Sequence, residues 1–225
     1  MCGIVGYVGK EQAAPILLDG LSKLEYRGYD SAGIAVRDNA SAIKIVKAKG
    51  RLKGLIEKTD AGHAVFGTCG IGHTRWATHG EPSETNAHPH TSDDGNVVAV
   101  HNGIIENYAV LKEKLQEKGY TFKSSTDTEV LVQLIEYIKV SHNLDLLTSV
   151  QLALHEVIGA YAIAILNRNN PDEIIVARKS SPLVIGIGKD EYFIASDATP
   201  IVEYTDKVVY LEDGEIAVIH RGQEL

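Results

Sequence analysis

A thiol stands at the second position of this 225-residue chain, and Cys2 becomes the leading residue once Met1 is removed. Methionine followed by a small side chain is commonly trimmed. The freed α-amine titrates near ~7.7–8, far below a lysine. Part of it is therefore unprotonated at neutral pH and can take the thiol proton, directly or through a water. Nucleophile and base then belong to one residue. Taken alone, the same cysteine reads as a small buried residue opening a strand, because free cysteines are mostly packing residues. Cys69, the second of two cysteines, is read as structural, and two are too few for a disulfide framework. His73, His79, His88, His90 and His101 invite a metal reading. Their spacing fits no H-E-x-x-H or related zinc pattern, and no cysteine pair stands beside them.

Four segments change the odds for Cys2. They are Met1-Cys2-Gly3-Ile4-Val5-Gly6, the run Glu25-Tyr26-Arg27-Gly28-Tyr29-Asp30-Ser31-Ala32-Gly33, the run His73-Thr74-Arg75-Trp76-Ala77-Thr78-His79-Gly80, and His101-Asn102-Gly103-Ile104-Ile105-Glu106-Asn107. In this order they resemble the class II glutamine amidotransferases, members of the N-terminal-nucleophile hydrolases. Within that family they look most like the glutaminase part of the amino-sugar-forming enzymes. Asp127, Ser181-Pro182-Leu183 and Ala195-Ser196-Asp197 continue the match, so the resemblance spans essentially the whole chain.

The resemblance implies an α+β fold, a four-layer α/β/β/α sandwich of two antiparallel sheets flanked by helices, formed as one domain over residues 1–225. It implies hydrolysis of L-glutamine to L-glutamate and ammonia through a Cys2 thioester, with no cofactor and no metal. In the full enzyme the ammonia would serve conversion of fructose 6-phosphate to glucosamine 6-phosphate. The implied partners are L-glutamine, a C-terminal sugar-phosphate isomerase region that this chain lacks, and a second copy in a homodimer of the full enzyme. Two alternatives lie inside the family, the glutaminase parts of amidophosphoribosyltransferase and of asparagine synthetase. Their Arg-Gly segments typically read with Gln-Asp or Pro-Asp instead. Outside it, a binding module that keeps the fold without turnover is disfavoured by intact Cys2, Arg75, Asn102, Gly103 and Asp127.

Roles follow residue by residue from the same resemblance. Asn102 and Gly103 match the oxyanion hole, the Asn amide and the Gly backbone N–H both donating; without the resemblance the pair reads as an Asn-Gly turn. Arg75 matches the holder of the glutamine α-carboxylate, a task suited to a planar fork. Asp127 matches the acceptor of the α-ammonium, and a helix cap is its plainer role. Opposite charges at both ends select a zwitterionic amino acid over a simple amide. Arg27 matches a residue near the nucleophile, where a cation favours thiolate; otherwise it is a favourable charge at a helix C-terminus. Trp76, Thr78 and His79 fall in a loop covering the glutamine, and His88 matches a further position at the site.

The elements that must carry these residues show in the apolar spacing. Gly3 to Gly9 reads as a short buried strand, and Ala13, Ile16, Leu17, Leu21 and Leu24 recur at helical intervals. Strands are expected over Ala32–Val36, Ile43–Ala48, Ile71–Trp76 and Val97–Val100. Helices are expected over Arg51–Lys58, Tyr108–Lys118, Thr128–Lys139 with Asp127 as N-cap, and Leu146–Val157. The last third is mostly strand: Ala160–Leu166, Glu173–Ala177, Leu183–Ile187, Tyr192–Ala195, and a hairpin through Asp213-Gly214. A composition 44% hydrophobic and 23% charged is that of a globular domain. A formal net charge of −8 without a basic run argues against nucleic acid. The apolar runs are too short to span a bilayer and the start is unlike a signal peptide, so a cytoplasmic protein without membrane contact is expected.

Overall fold

The computed structural model describes residues 2–225; removal of Met1 concerns a residue outside that range. Chain order is β1 (Gly3–Val8), α1 (Ala13–Leu24), β2 (Ser31–Arg37), β3 (Ile43–Lys49), α2 (Leu52–Lys58), β4 (Cys69–Arg75), β5 (His90–Thr91) and β6 (Val97–Ile105). Three helices follow, α3 (Tyr108–Glu117), α4 (Asp127–His142) and α5 (Leu146–Glu156). The remainder is β7 (Gly159–Asn167), β8 (Glu173–Lys179), β9 (Val184–Ile187), β10 (Tyr192–Ala195), β11 (Val208–Tyr210) and β12 (Ile216–His220).

The strands form a seven-stranded sheet, β11-β9-β10-β1-β4-β2-β3, and a five-stranded sheet, β12-β8-β7-β6-β5. Their ladders are antiparallel. Strand alternation explains the layering. In β1, Val5 and Tyr7 pack toward α1, whereas Ile4 and Val8 face the other sheet. In β6, Val97, Ala99 and Ile105 meet α3–α5, while Val98 and Val100 face inward. Both faces of each central strand are thus buried, and the order is helix, sheet, sheet, helix. The α+β sandwich expected from the sequence is the fold observed.

Three differences from the sequence reading matter most, while other element ends shift by one to three residues. β6 runs five residues past Val100 and takes Asn102-Gly103 into the ladder opposite Ala162 and Tyr161. The N-cap of α4 is Thr126, whose hydroxyl accepts from Glu129 N–H at 3.4 Å. Asp127 is the first helical residue and is freed for other work. The Asp213-Gly214 turn is not a hairpin tip, since β11 pairs with β9 in one sheet and β12 with β8 in the other. It stitches the two sheets together. Gly33 marks a close approach: a Cβ there would lie 2.1 Å from the His88 carbonyl, so only glycine lets β2 and the segment leading to β5 touch.

Ile71 is fully buried in β4 among the inter-sheet side chains. Ile71→Ala should cost ~2–5 kcal/mol through the lost transfer energy and the cavity left behind. Urea unfolding would measure it, and a loss under about 1 kcal/mol would show that the sheets close over the gap.

Candidate active site

The two sheets bring four strand and helix ends to one place. Cys2 precedes β1, which pairs with β4 so that Gly3 lies opposite Thr74. Arg75 ends β4, Asn102 and Gly103 sit in β6, and Asp127 opens α4. A cavity of about 270 Å³ lies between them, and all ten residues singled out from the sequence line it: Cys2, Arg27, Arg75, Trp76, Thr78, His79, His88, Asn102, Gly103 and Asp127.

The Cys2 sulfur accepts from Trp76 N–H at 3.2 Å and donates to the Trp76 carbonyl at 3.4 Å. Burial pushes its pKa up; the Trp76 amide and the Arg75 cation pull against this, and Asp30 adds to it. The resting group is therefore a thiol, which must lose a proton to attack. Arg27 lines the same cavity, but its Nε pairs with Asp197 at 3.1 Å and also donates to the Tyr26 hydroxyl. Among side chains, Arg75 is a cation whose field favours the thiolate.

Arg75 is almost wholly buried. Its Nη2 donates to the carbonyls of His79 and Gly80, and Nη1 to that of Glu81 at 3.3 Å. The guanidinium thus folds the Thr78–Glu81 loop over the cavity. Asp30 secures the same loop: its carboxylate accepts from Ala77 N–H and lies 3.8 Å from Arg75 Nη1. Trp76 is half exposed and meets the edge of Tyr29, with ring centroids 5.3 Å apart. His79 sits edge-on to Tyr108 and 3.4 Å from the Thr78 hydroxyl.

Asn102 Nδ2 donates to the Cys2 carbonyl at 3.1 Å, so one of its two hydrogens stays free beside the nucleophile. Neighbouring amides fix where Gly103 N–H points. His101 N–H donates to His88 Nδ1 at 3.3 Å, and Ile105 N–H to Asp127 Oδ2 at 2.8 Å. Both turn away from β7, and strand alternation gives Gly103, between them, the same direction. Gly103 has φ +122°, and a Cβ there would lie 2.1 Å from the Ala160 carbonyl, so glycine is required. Asp127 spends one oxygen on Ile105 and keeps the other for the cavity.

Below this level lie four buried histidines. Burial holds His73 down to about 3 and lowers His88, His90 and His101 as well. All four rings are neutral in the fold. His88 stacks on His73 at 4.0 Å, and His101 Nδ1 meets the Thr128 hydroxyl at 3.0 Å. His101, Ile104, Thr126, Thr128, Ser181 and Pro182 also line the cavity, although the sequence suggested no role for them. The signal for His101 and Thr128 was adjacency to Asn102 and Asp127, which alone does not tell a site residue from a core one. Because each ring takes a proton near pH ~6.5 once unfolded, the unfolded chain binds more protons than the fold below that pH. Stability should therefore fall on acidification from about pH 7 to about pH 5, with His73 contributing roughly 1.4 kcal/mol per unit below ~6.5. Urea unfolding across that range checks this, and a flat or rising profile would contradict it.

Comparison with known proteins bears on the fold and the family. The family model described as "Glutamine amidotransferase domain" matches residues 73–203, more than half of the chain. A glutamine–fructose-6-phosphate aminotransferase (isomerizing) of Bacteroides thetaiotaomicron is 69% identical over all 225 residues, and the chain spans 36% of its length. One of Chlorobaculum tepidum is 55% identical across 98% of the chain and 36% of its own length. Among solved structures, the glutamine phosphoribosylpyrophosphate amidotransferase from B. subtilis superimposes with a TM-score of 0.83 at 32% identity, covering 97% of this chain and 47% of that one. A glutamine aminotransferase class-II domain protein from Silicibacter pomeroyi shares the fold with a TM-score of 0.65 at 17% identity, over 97% of this chain and 95% of that one. The chain belongs to the glutamine amidotransferase domain family.

Proposed function

We propose that this chain hydrolyses L-glutamine to L-glutamate and ammonia at Cys2. In a whole enzyme of the amino-sugar type, the ammonia goes on to convert fructose 6-phosphate to glucosamine 6-phosphate. The observation that carries the reading is the meeting of a thiol, two free N–H donors, a guanidinium and a carboxylate around one cavity of amino-acid size.

The Cys2 thiol passes its proton to the α-amine of a chain led by Cys2, and sulfur attacks the carboxamide carbon. Charge builds on the amide oxygen, where the spare Asn102 Nδ2 hydrogen and Gly103 N–H stabilise it. The C–N bond breaks, ammonia leaves with the proton held by the amine, and water then cleaves the thioester. Asp127 takes the substrate ammonium with its free oxygen. Arg75 takes the α-carboxylate, and its hold on the His79, Gly80 and Glu81 carbonyls couples that contact to the covering loop. Low turnover is expected without the region that receives ammonia, because a covering loop that no partner holds shut leaves the catalytic arrangement incomplete.

Identity to the aminotransferases, 69% against 32% for the phosphoribosylpyrophosphate enzyme, supports the amino-sugar branch. The chain spans about a third of those relatives, so the sugar-phosphate step is assigned to a region outside it, and homodimerisation to the whole enzyme. Among the described residues no helix is long and apolar enough to cross a membrane.

Variant kinetics, intact mass and a chelator test the reading. Cys2→Ala should abolish ammonia release, and a glutamine-like electrophile should add once to the parent chain and not to the variant, by intact mass. Asn102→Ala should lower kcat by ~10²–10³ with little change in KM. Arg75→Lys should act mainly on KM for glutamine, since a point charge cannot replace the fork. A chelator that removes activity would favour a metal-dependent hydrolysis instead.

A further inference from the structure

His73 lies fully buried in β4, two residues before Arg75, and no step above uses it. Its Nε2 stands 3.0 Å from Asn102 Oδ1 and 3.1 Å from the His101 carbonyl, and its Nδ1 has no partner among the described residues. Backbone carbonyls settle every hydrogen in this group. The end of the Asn102 amide that faces the Cys2 carbonyl at 3.1 Å must be the NH2, so the other end is the oxygen. Nε2, facing that oxygen and the His101 carbonyl, must therefore carry the ring hydrogen, and Nδ1 must be bare. A reversed Asn102 amide would set NH2 against N–H at one end and oxygen against oxygen at the other.

From this we propose that His73 is a positioning residue, which locks the Asn102 carboxamide so that its NH2 faces the site of oxyanion formation. The proposal rests on the glutaminase reading above. A free carboxamide presents nitrogen or oxygen with similar ease, and an oxygen aimed at the developing oxyanion would repel it. The strand pairing alone cannot choose between them. The His73 ring is itself held flat against His88 at 4.0 Å and 11°, and His88 Nδ1 is anchored by His101 N–H at 3.3 Å. Burial keeps His73 neutral, down to about 3, so one fixed hydrogen serves throughout the working pH range. The bare Nδ1 is the cost of that tautomer: the fold leaves a buried acceptor unpaired to place a donor on Asn102.

The test is steady-state glutaminase kinetics of this chain, with L-glutamate binding by calorimetry. The set is the parent, Cys2→Ala, Asn102→Ala, His73→Leu, His73→Gln, His73→Asn and the Asn102→Ala/His73→Leu double variant. His73→Leu should lower kcat about 10- to 100-fold, short of deleting the donor, while KM and L-glutamate affinity stay within about twofold. His73→Gln, whose amide nitrogen reaches the Nε2 position, should recover to within about fivefold of the parent, and the shorter His73→Asn should not. In the Asn102→Ala background, His73→Leu should cost nothing further, because the two residues act as one unit. Unchanged kcat in His73→Leu, equal rates in His73→Gln and His73→Asn, or fully additive losses in the double variant would overturn the proposal. If His73→Leu does not fold, the Gln and Asn pair decides by the same rule. A parent chain that is inactive, or active without Cys2, sinks the glutaminase reading, and this proposal falls with it.

Discussion

The hydrogen bond from Asn102 Nδ2 to the Cys2 carbonyl joins the two sheets at the point where the proposed oxyanion donors face the sulfur. Cys2 leads into the seven-stranded sheet, while Asn102 belongs to the five-stranded one. Nothing local in either sheet fixes the distance between nucleophile and donor. That distance is set by how closely the sheets stack, and hence by the side chains between them: Ile4, Ile71, Val98, Val100, Ala162 and Ala164. Core packing and catalytic geometry are here one quantity. Interiors packed as densely as crystals hold such a distance to a fraction of an ångström.

Below the site the fold accepts a cost. Four imidazoles are removed from water and kept neutral, and one ring nitrogen has no partner among the described residues. An apolar layer would give a steadier core. What the histidines supply is direction: ring donors and hydroxyls that hold amides and carboxylates in single orientations. Asp127 shows the same economy, one oxygen held by Ile105 and the other kept for the cavity. The glycines at Gly33 and Gly103 mark where backbone must press against backbone for these contacts to form.

Much of the fold was legible in its apolar pattern. Helical spacing placed α1, α4 and α5, and short apolar runs bounded by turn residues placed the strands with few slips, although burial on both faces leaves those strands without alternation. The errors share a cause. Asn102-Gly103 looks like a turn because that dipeptide usually makes one, yet the ladder to β7 overrides local preference. Asp127 looked like the cap because Thr126 beside it is an equally good one, and only the tertiary contact with Ile105 separates their tasks. Asp213-Gly214 forms a turn as its residues demand, but which sheet each flank joins is a long-range matter. The ten residues that line the cavity were legible through the resemblance their motifs carry, whereas His73 and Asp30 were quoted in those motifs without a role in glutamine chemistry. Their work lies in partners far along the chain: Asn102 for one, Ala77 and Arg75 for the other.

The continuation of β6 through Ile105 separates two kinds of residue by stiffness. Asn102 and Gly103 ride on a strand paired with β7 along its whole length, while Trp76, Thr78 and His79 ride on a loop tethered by Arg75 and Asp30. The groups proposed to face the reacting amide and those that cover it are therefore housed in parts of unlike rigidity. The rim can open and shut for a guest while the donors beneath keep their posts.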